Sequence, residues 1–278
     1  VKGKGTRAKR PGDVFWFFFS KKNCFLAFLF ACLDIVFTQR AETKPMHQIN
    51  IPDTVVQRVI QRRGKEHIFD DVDPARTALV VVDMQNGFMM PGVAHSLCEE
   101  AVNIVPNINK IAETLRAHGG LVVWIQNRFT DESLVSWSVS HEMRGVAGTR
   151  KRADAMREGS VGHQLWAGLD VQPEDMKLPK ERFSAFIQGS SPIEAVLRSK
   201  GIDTVIVTGT VTNVCCESTA RDAMMRNFRV IFVSDGNAAN NDAEHNATLV
   251  AIYLTFGDVM STDMLVGLLR QNAKSAAA

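Results

Sequence analysis

From residue 76 onward the chain alternates between two kinds of hydrophobic pattern. Apolar, largely β-branched runs at 78–82, 121–125, 205–207 and 230–233, the first ending in Asp83 and the last in a Ser234-Asp235-Gly236 turn, have the composition of strands buried on both faces. Shorter runs at 176–180 and 258–260 predict two more strands, with Pro179 suited to an edge or a strand end. Between these runs the apolar residues fall at helical spacing. Ile104, Ile108, Ile111 and Leu115 mark a helix over 103–118 that Gly119-Gly120 stops, and Ile193, Val196 and Leu197 mark one that ends near Gly201. Helices are also predicted over 241–256 and 262–270, and over a segment that starts with Thr212 or Asn213 as N-cap and carries Ala220, Ala223, Met224 and Met225.

Strand–helix alternation of this kind predicts an α/β fold: a three-layer α/β/α, doubly wound, mainly parallel sheet of about six strands over residues 76–272. Residues 46–75 read as an N-terminal arm. It holds a short helix whose apolar face is Val55, Val56, Val59 and Ile60, closed by Arg62-Arg63-Gly64, and it ends in an Asp73-Pro74 turn. Residues 273–278 read as a frayed tail. One stretch breaks the alternation. Residues 130–162, rich in Ser, Arg and Glu and including Trp137 and His141, read as a long excursion with some helix, of the kind that serves as a lid or an oligomer contact.

Composition changes the picture only at the amino end. Residues 1–45 hold half of the 16 phenylalanines, and Lys2, Lys4, Arg7, Lys9 and Arg10 precede the apolar runs. That is the form of a signal peptide or anchor. Lys21-Lys22 and Asp34 interrupt the apolar residues before either run reaches the roughly 20 needed to span a bilayer. A competing reading, which we favour, is translated upstream sequence outside the fold, with ordinary soluble composition starting at Met46 and a cytoplasmic protein following. Membrane contact is expected only if this leader is retained. A net charge of +2 gives no reason to expect nucleic acid. Five cysteines without paired spacing form neither a disulfide framework nor a structural zinc site.

Three residues carry candidate chemistry. Cys215 falls in the first turn of a helix leaving a parallel strand, where the dipole and free N–H groups favour a thiolate and an adjacent oxyanion. A buried structural cysteine is the alternative. Asp83 ends the first strand, at the edge where open α/β sheets place their sites; a turn or cap acid is the alternative. Lys180 ends the third strand, and taken alone it is a surface charge.

Taken together, the contexts of these residues resemble the isochorismatase-like cysteine hydrolases over residues 75–270. V-V-V-D-M-Q-N matches that family's first-strand motif, L-P-K-E-R-F-S-A-F its lysine motif and T-G-T-V-T-N-V-C-C-E-S-T-A-R-D-A its nucleophile motif. The lysine and nucleophile motifs, with L-R-S-K-G-I and W-I-Q-N, are most similar to the ureidoacrylate amidohydrolases of pyrimidine degradation. The resemblance implies Cys215 as nucleophile, Asp83 as proton acceptor and Lys180 as their electrostatic partner. It also implies a cis peptide at Thr210-Val211, with the Val211 and Cys215 N–H groups as an oxyanion hole. It further implies a small-molecule substrate, no cofactor, and a homo-oligomer.

Departures from the family pattern bear on the substrate. The Asp/His metal set of nicotinamidases is missing after the second strand, where Asn127 to Glu132 stand instead, so no metal is expected. Phe88 and Phe183 replace tyrosines common in the ureidoacrylate branch. They remain substrate-binding candidates with Asn127 and Gln85, and Arg128 is a further candidate for a substrate carboxylate. Cys216 reads as core filler and Arg221 as a salt-bridge partner. The expected activity is hydrolysis of a C–N bond in a small ureido or carbamoyl acid. The alternatives are an N-carbamoyl amino acid or nicotinamide type of amidase, or a binding protein on the same fold.

Overall fold

The computed structural model describes residues 46–276; the predicted leader, 1–45, lies outside the described residues. Six strands form one sheet: β1 (Thr77–Val82), β2 (Leu121–Asn127), β3 (Met176–Lys180), β4 (Thr204–Thr210), β5 (Arg229–Ala238) and β6 (Asp258–Met260). Their order is β3-β2-β1-β4-β5-β6, and every neighbouring pair is parallel. The chain begins mid-sheet, winds outward to β3, then returns to the other side of β1 as β4. That reversal opens a crevice at the carboxyl ends of β1 and β4.

Seven helices are used below: α1 (Asp53–Arg63), α2 (Val105–Ala117), α3 (Ser138–Met156), α4 (Ile193–Ser199), α5 (Glu217–Met225), α6 (Asp242–Ala251) and α7 (Thr262–Ala276). The pleat sends alternate residues to opposite faces. Leu79, Val81, Trp124 and Ile231 pack with Ile108, Ile111 and Leu115 of α2 and Leu265 of α7. Val80, Val82, Val123, Val205 and Phe232 pack on the other face with Val59 of α1, Ile193 and Leu197 of α4, and Ala220 of α5. Burial on both faces explains why these strands lack polar alternation, and each large apolar side chain so buried contributes roughly 1.5–3 kcal/mol. Among the described residues no helix is long and apolar enough to cross a membrane.

Several elements differ from the sequence expectation. The apolar run that predicts the fourth strand spans only 205–207, yet β4 runs on through Gly209 and Thr210. Gly209 has φ 124° and lies opposite Val82, where an added Cβ would collide with the Val82 carbonyl oxygen. It is a point of close backbone approach, and the strand does not end there. The last helix continues past Arg270 to Ala276, so the expected frayed tail is helical for most of its length. Most of the excursion is also helical: a turn at Ser133–Ser136 leads into α3, which is kinked at Gly145, φ 68°.

Candidate active site

The carboxyl ends of four adjacent strands meet in the crevice. The register sets Val82 opposite both Ile125 and Gly209, and Asn127 opposite Lys180. Asp83 extends the ladder by one bond, its N–H donating to the Ile125 carbonyl at 3.1 Å, then turns into the left-handed region at φ 54°. Few non-glycine residues adopt that conformation, and those that do concentrate at functional sites. Here it delivers a carboxylate at the strand edge.

Lys180 Nζ donates to Asp83 Oδ2 at 2.8 Å and to the Arg182 carbonyl at 2.9 Å; both side chains are fully buried. Asp83 Oδ1 is buried without a hydrogen-bond partner. Cys215, only 4% exposed, lies beside this pair, near enough that both charges perturb its ionisation. The resting site therefore holds one cation, one carboxylate with a free lone-pair oxygen, and one thiol.

The electrostatics differ from the expected thiolate. Burial pushes the Cys215 thiol up to about 12, Lys180 pulls it back and Asp83 pushes it further up. Burial also raises the Asp83 carboxyl, against the pull of Lys180. For Lys180 burial lowers the pKa, but the Asp83 and Cys215 charges outweigh it and the net direction is up. Burial thus raises both acids of the cluster, and Lys180 opposes that rise in each.

The turn carrying Cys215 is not the α-helical first turn expected. Residues Thr212–Cys216 form one π turn, and α5 begins only at Glu217. The Val211 carbonyl accepts from the N–H groups of Val214 and Cys216, passing over Cys215. Thr212 and Asn213 do not cap. Asn213 reaches Glu244 at 3.3 Å, and the Thr212 hydroxyl meets His245 Nδ1 at 3.0 Å. His245 Nε2 lies 2.9 Å from the Ser234 carbonyl, which only accepts. Nε2 therefore carries the proton and Nδ1 accepts from Thr212. Burial pushes His245 down to about 4, so it stays neutral in this role. The peptide between Thr210 and Val211 is cis.

The expected substrate contacts separate. Both Gln85 Nε2 hydrogens are taken by the carbonyls of Asn127, at 3.1 Å, and His163, at 2.8 Å, while its oxygen accepts from the Asn127 N–H at 2.8 Å. Gln85 braces the ends of β1 and β2 and has no donor left for a substrate. Phe88 is buried edge-on against His95, with ring centroids 4.8 Å apart. Phe183 faces outward at 37% exposure, edge-on to Trp137. Asn127 is buried, and its Oδ1 accepts from Arg152 Nη2 at 3.0 Å. Arg128 is held by Glu181 at 2.7 Å, which occupies it. Cys216 is fully buried in the core, and Arg221 pairs with Glu217 one turn back on α5 at 2.5 Å. Among the described residues no group of three His, Cys, Asp or Glu side chains gathers into a metal-ligand set.

Arg152 was missed. It lies deep in the excursion, next to Arg150 and Lys151, and nothing in that polar run distinguishes a buried arginine from its solvated neighbours.

A buried Asp–Lys–Cys cluster thus lies at the switch point of a parallel sheet on an α/β scaffold. Residues 77–264 match the isochorismatase domain, and the chain belongs to the isochorismatase-like cysteine hydrolase family. Among solved structures it is similar to a cysteine hydrolase from Pseudomonas syringae pv. phaseolicola, with 26% identity, 83% of this chain and 99% of that one covered, and a TM-score of 0.64. It is similar to an isochorismatase-like hydrolase from Alkaliphilus metalliredigens at 30% identity, covering 69% of this chain and 98% of that one, with a TM-score of 0.58. N-carbamoylsarcosine amidase from Thermoplasma acidophilum matches at 29% identity over 68% of this chain and 97% of its own, with a TM-score of 0.54.

Proposed function

We propose that the protein is a cysteine amidohydrolase that cleaves a C–N bond in a small ureido or carbamoyl acid, a ureidoacrylate being the leading case. The observation that carries this reading is the buried Lys180–Asp83 pair beside the buried Cys215, with Asp83 Oδ1 unpartnered. Attack of Cys215 Sγ on the substrate carbonyl passes the thiol proton to Asp83, whose burial makes it a stronger base than an ordinary carboxylate. Lys180 keeps the site from carrying two uncompensated negative charges as the thiolate forms. The Val211 and Cys215 N–H groups receive the developing oxyanion.

Collapse breaks the C–N bond, and Asp83 returns its proton to the leaving nitrogen. Water, deprotonated by Asp83, then attacks the carbamoyl or acyl thioester and releases Cys215. With a ureidoacrylate, the first step releases aminoacrylate and the second carbamate. A C–N substrate is also supported by the likeness to an N-carbamoylsarcosine amidase. The exposed Val135, Val139, Met143 and Val146 on the excursion support association of like chains, which light scattering would test.

The deciding experiment assays amine or ammonia release from a panel of ureido acids, N-carbamoyl amino acids, nicotinamide and simple amides. Turnover of a ureido or carbamoyl acid, lost in Cys215→Ala, is expected; turnover of nicotinamide alone would redirect the substrate, and undiminished turnover in Cys215→Ala would overturn the nucleophile.

A further inference from the structure

Three guanidinium groups crowd one aromatic ring beside the active site. Arg144, Arg152 and Arg182 stand 6.0, 5.4 and 5.1 Å from the centroid of Trp137. Among the described residues none of the three has an ion-pair partner. Arg144 donates to the Ser140 hydroxyl at 2.8 Å, and Arg182 donates to the carbonyl and hydroxyl of Ser136 at 3.2 and 3.0 Å. Glu181, which could have neutralised one of them, is taken by Arg128. Of these cations and Lys180, it is Lys180, Arg144 and Arg152 that act on Cys215, against the single carboxylate of Asp83. Like charges gathered at this density oppose folding unless an anion joins them.

Arg152 is the informative member. It is 2% exposed, one Nη donates to Asn127 Oδ1 at 3.0 Å, and the other, Nη1, is buried with no partner. A buried donor left unmade costs about 1–3 kcal/mol, more when charged, so such groups usually mark a missing ligand or water. Its place in the fold says which ligand. Asn127 stands opposite Lys180 in the β2–β3 register, and Lys180 holds Asp83, so Arg152 is one side chain removed from the reacting groups. The charges of both Asp83 and Cys215 are felt at its guanidinium, which burial pushes down to about 10.

We propose that Arg152, with Arg144 as an outer contributor, is the receptor for a carboxylate on the substrate, and that the enzyme selects anionic substrates over their neutral amides. The inference rests on the thiol-hydrolase reading above. The fork geometry of arginine suits a carboxylate bidentately, and Asn127 fixes one arm of the fork so that the other is presented to the ligand. Acceptance of the ligand discharges the repulsion among the three guanidiniums, so binding energy is tied to a negative charge at a set distance from Sγ. Arg152 is a specificity-determining residue; Arg128, though nearer in sequence to Asn127, is occupied by Glu181.

The test compares alkylation of Cys215 by iodoacetate, an anion, and by iodoacetamide, its neutral analogue, at one mildly alkaline pH with mass-spectrometric readout. In each case sulfur displaces iodide from the same CH₂ group, so the ratio of the two rates cancels thiol access and ionisation. The ratio in the intact protein should favour iodoacetate over the value for free cysteine. It should fall about tenfold or more in Arg152→Met, less in Arg152→Lys and Arg144→Met, and not at all in Arg128→Met. N-carbamoylglycine should protect Cys215 from iodoacetamide more than N-carbamoylglycinamide does, with the difference lost in Arg152→Met. An equal ratio in the intact protein and Arg152→Met sinks the receptor while leaving the nucleophile standing. A fall of the same size in Arg128→Met reduces the effect to general charge and also sinks it. Failure of either reagent to label Cys215 sinks the thiol reading and the receptor with it.

Discussion

Two carboxylate–cation pairs stand next to each other where β2 and β3 end. Lys180 and Asp83 close to 2.8 Å with both side chains fully buried, whereas Arg128 and Glu181, one residue beyond Asn127 and Lys180, close to 2.7 Å at 33% and 20% exposure. The distances are alike and the consequences are not. Water screens the outer pair, which is satisfied and contributes little. The inner pair has no water, leaves Asp83 Oδ1 free, and shares its field with a thiol. Burial, at the same distance, leaves the inner carboxyl raised above its ordinary range.

The largest break in that contrast comes from unpairing the inner charges. Lys180→Met and Asp83→Asn should each lower kcat/KM by orders of magnitude. Lys180→Met should also cost about 3–5 kcal/mol of stability in denaturant unfolding, because it strands a buried carboxylate. The double substitution should recover much of that stability and none of the activity. Near-normal turnover in either single variant would remove the residue from the mechanism.

The ionisation of the thiol sharpens the same contrast with a smaller effect. A group pushed up to about 12 carries little thiolate near neutrality. Iodoacetamide should therefore label resting Cys215 more slowly than free cysteine, with a rate that climbs from about pH 7 to about pH 10 without a plateau. Lys180 lowers the thiol pKa, so Lys180→Met should slow labelling further. A plateau below about pH 8 would mean a preformed thiolate and return the site to the arrangement expected from helix position alone.

The smallest effect belongs to the outer pair. Glu181→Gln should change stability by less than about 1 kcal/mol and leave turnover of a neutral amide within a few-fold of the unmodified protein. A loss comparable to that of Asp83→Asn would show that the two pairs act as one network.

Much of this was legible in the residues. The central strands were visible because a strand buried on both faces needs an unbroken apolar run, and Val80, Val82, Val205 and Phe232 supply it. Asp83, Lys180 and Cys215 were visible because each ends or follows a strand inside a patterned motif. The continuation of β4 through Gly209 was not, since a glycine that ends a strand and one that lets two backbones approach look the same until Val82 is placed opposite. Gln85 was misjudged for a similar reason: an amide next to a strand-end acid suits a substrate or a backbone brace equally, and only the Asn127 and His163 carbonyls decide. Arg152 was invisible because its meaning depends on burial under Trp137 and Phe129, which no local spacing encodes.

The sequence by itself therefore determined the layer architecture and pointed to Asp83, Lys180 and Cys215 as the three side chains that meet at the strand ends. Hydrophobic period and strand-end position are local properties that a linear chain carries in full. The tertiary structure alone decided how those side chains share charge and which arginine remains open. Ionisation and hydrogen-bond satisfaction depend on excluded water and on partners far apart in the chain: Asp83 meets Lys180 across 97 residues, and Asn127 meets Arg152 across 25.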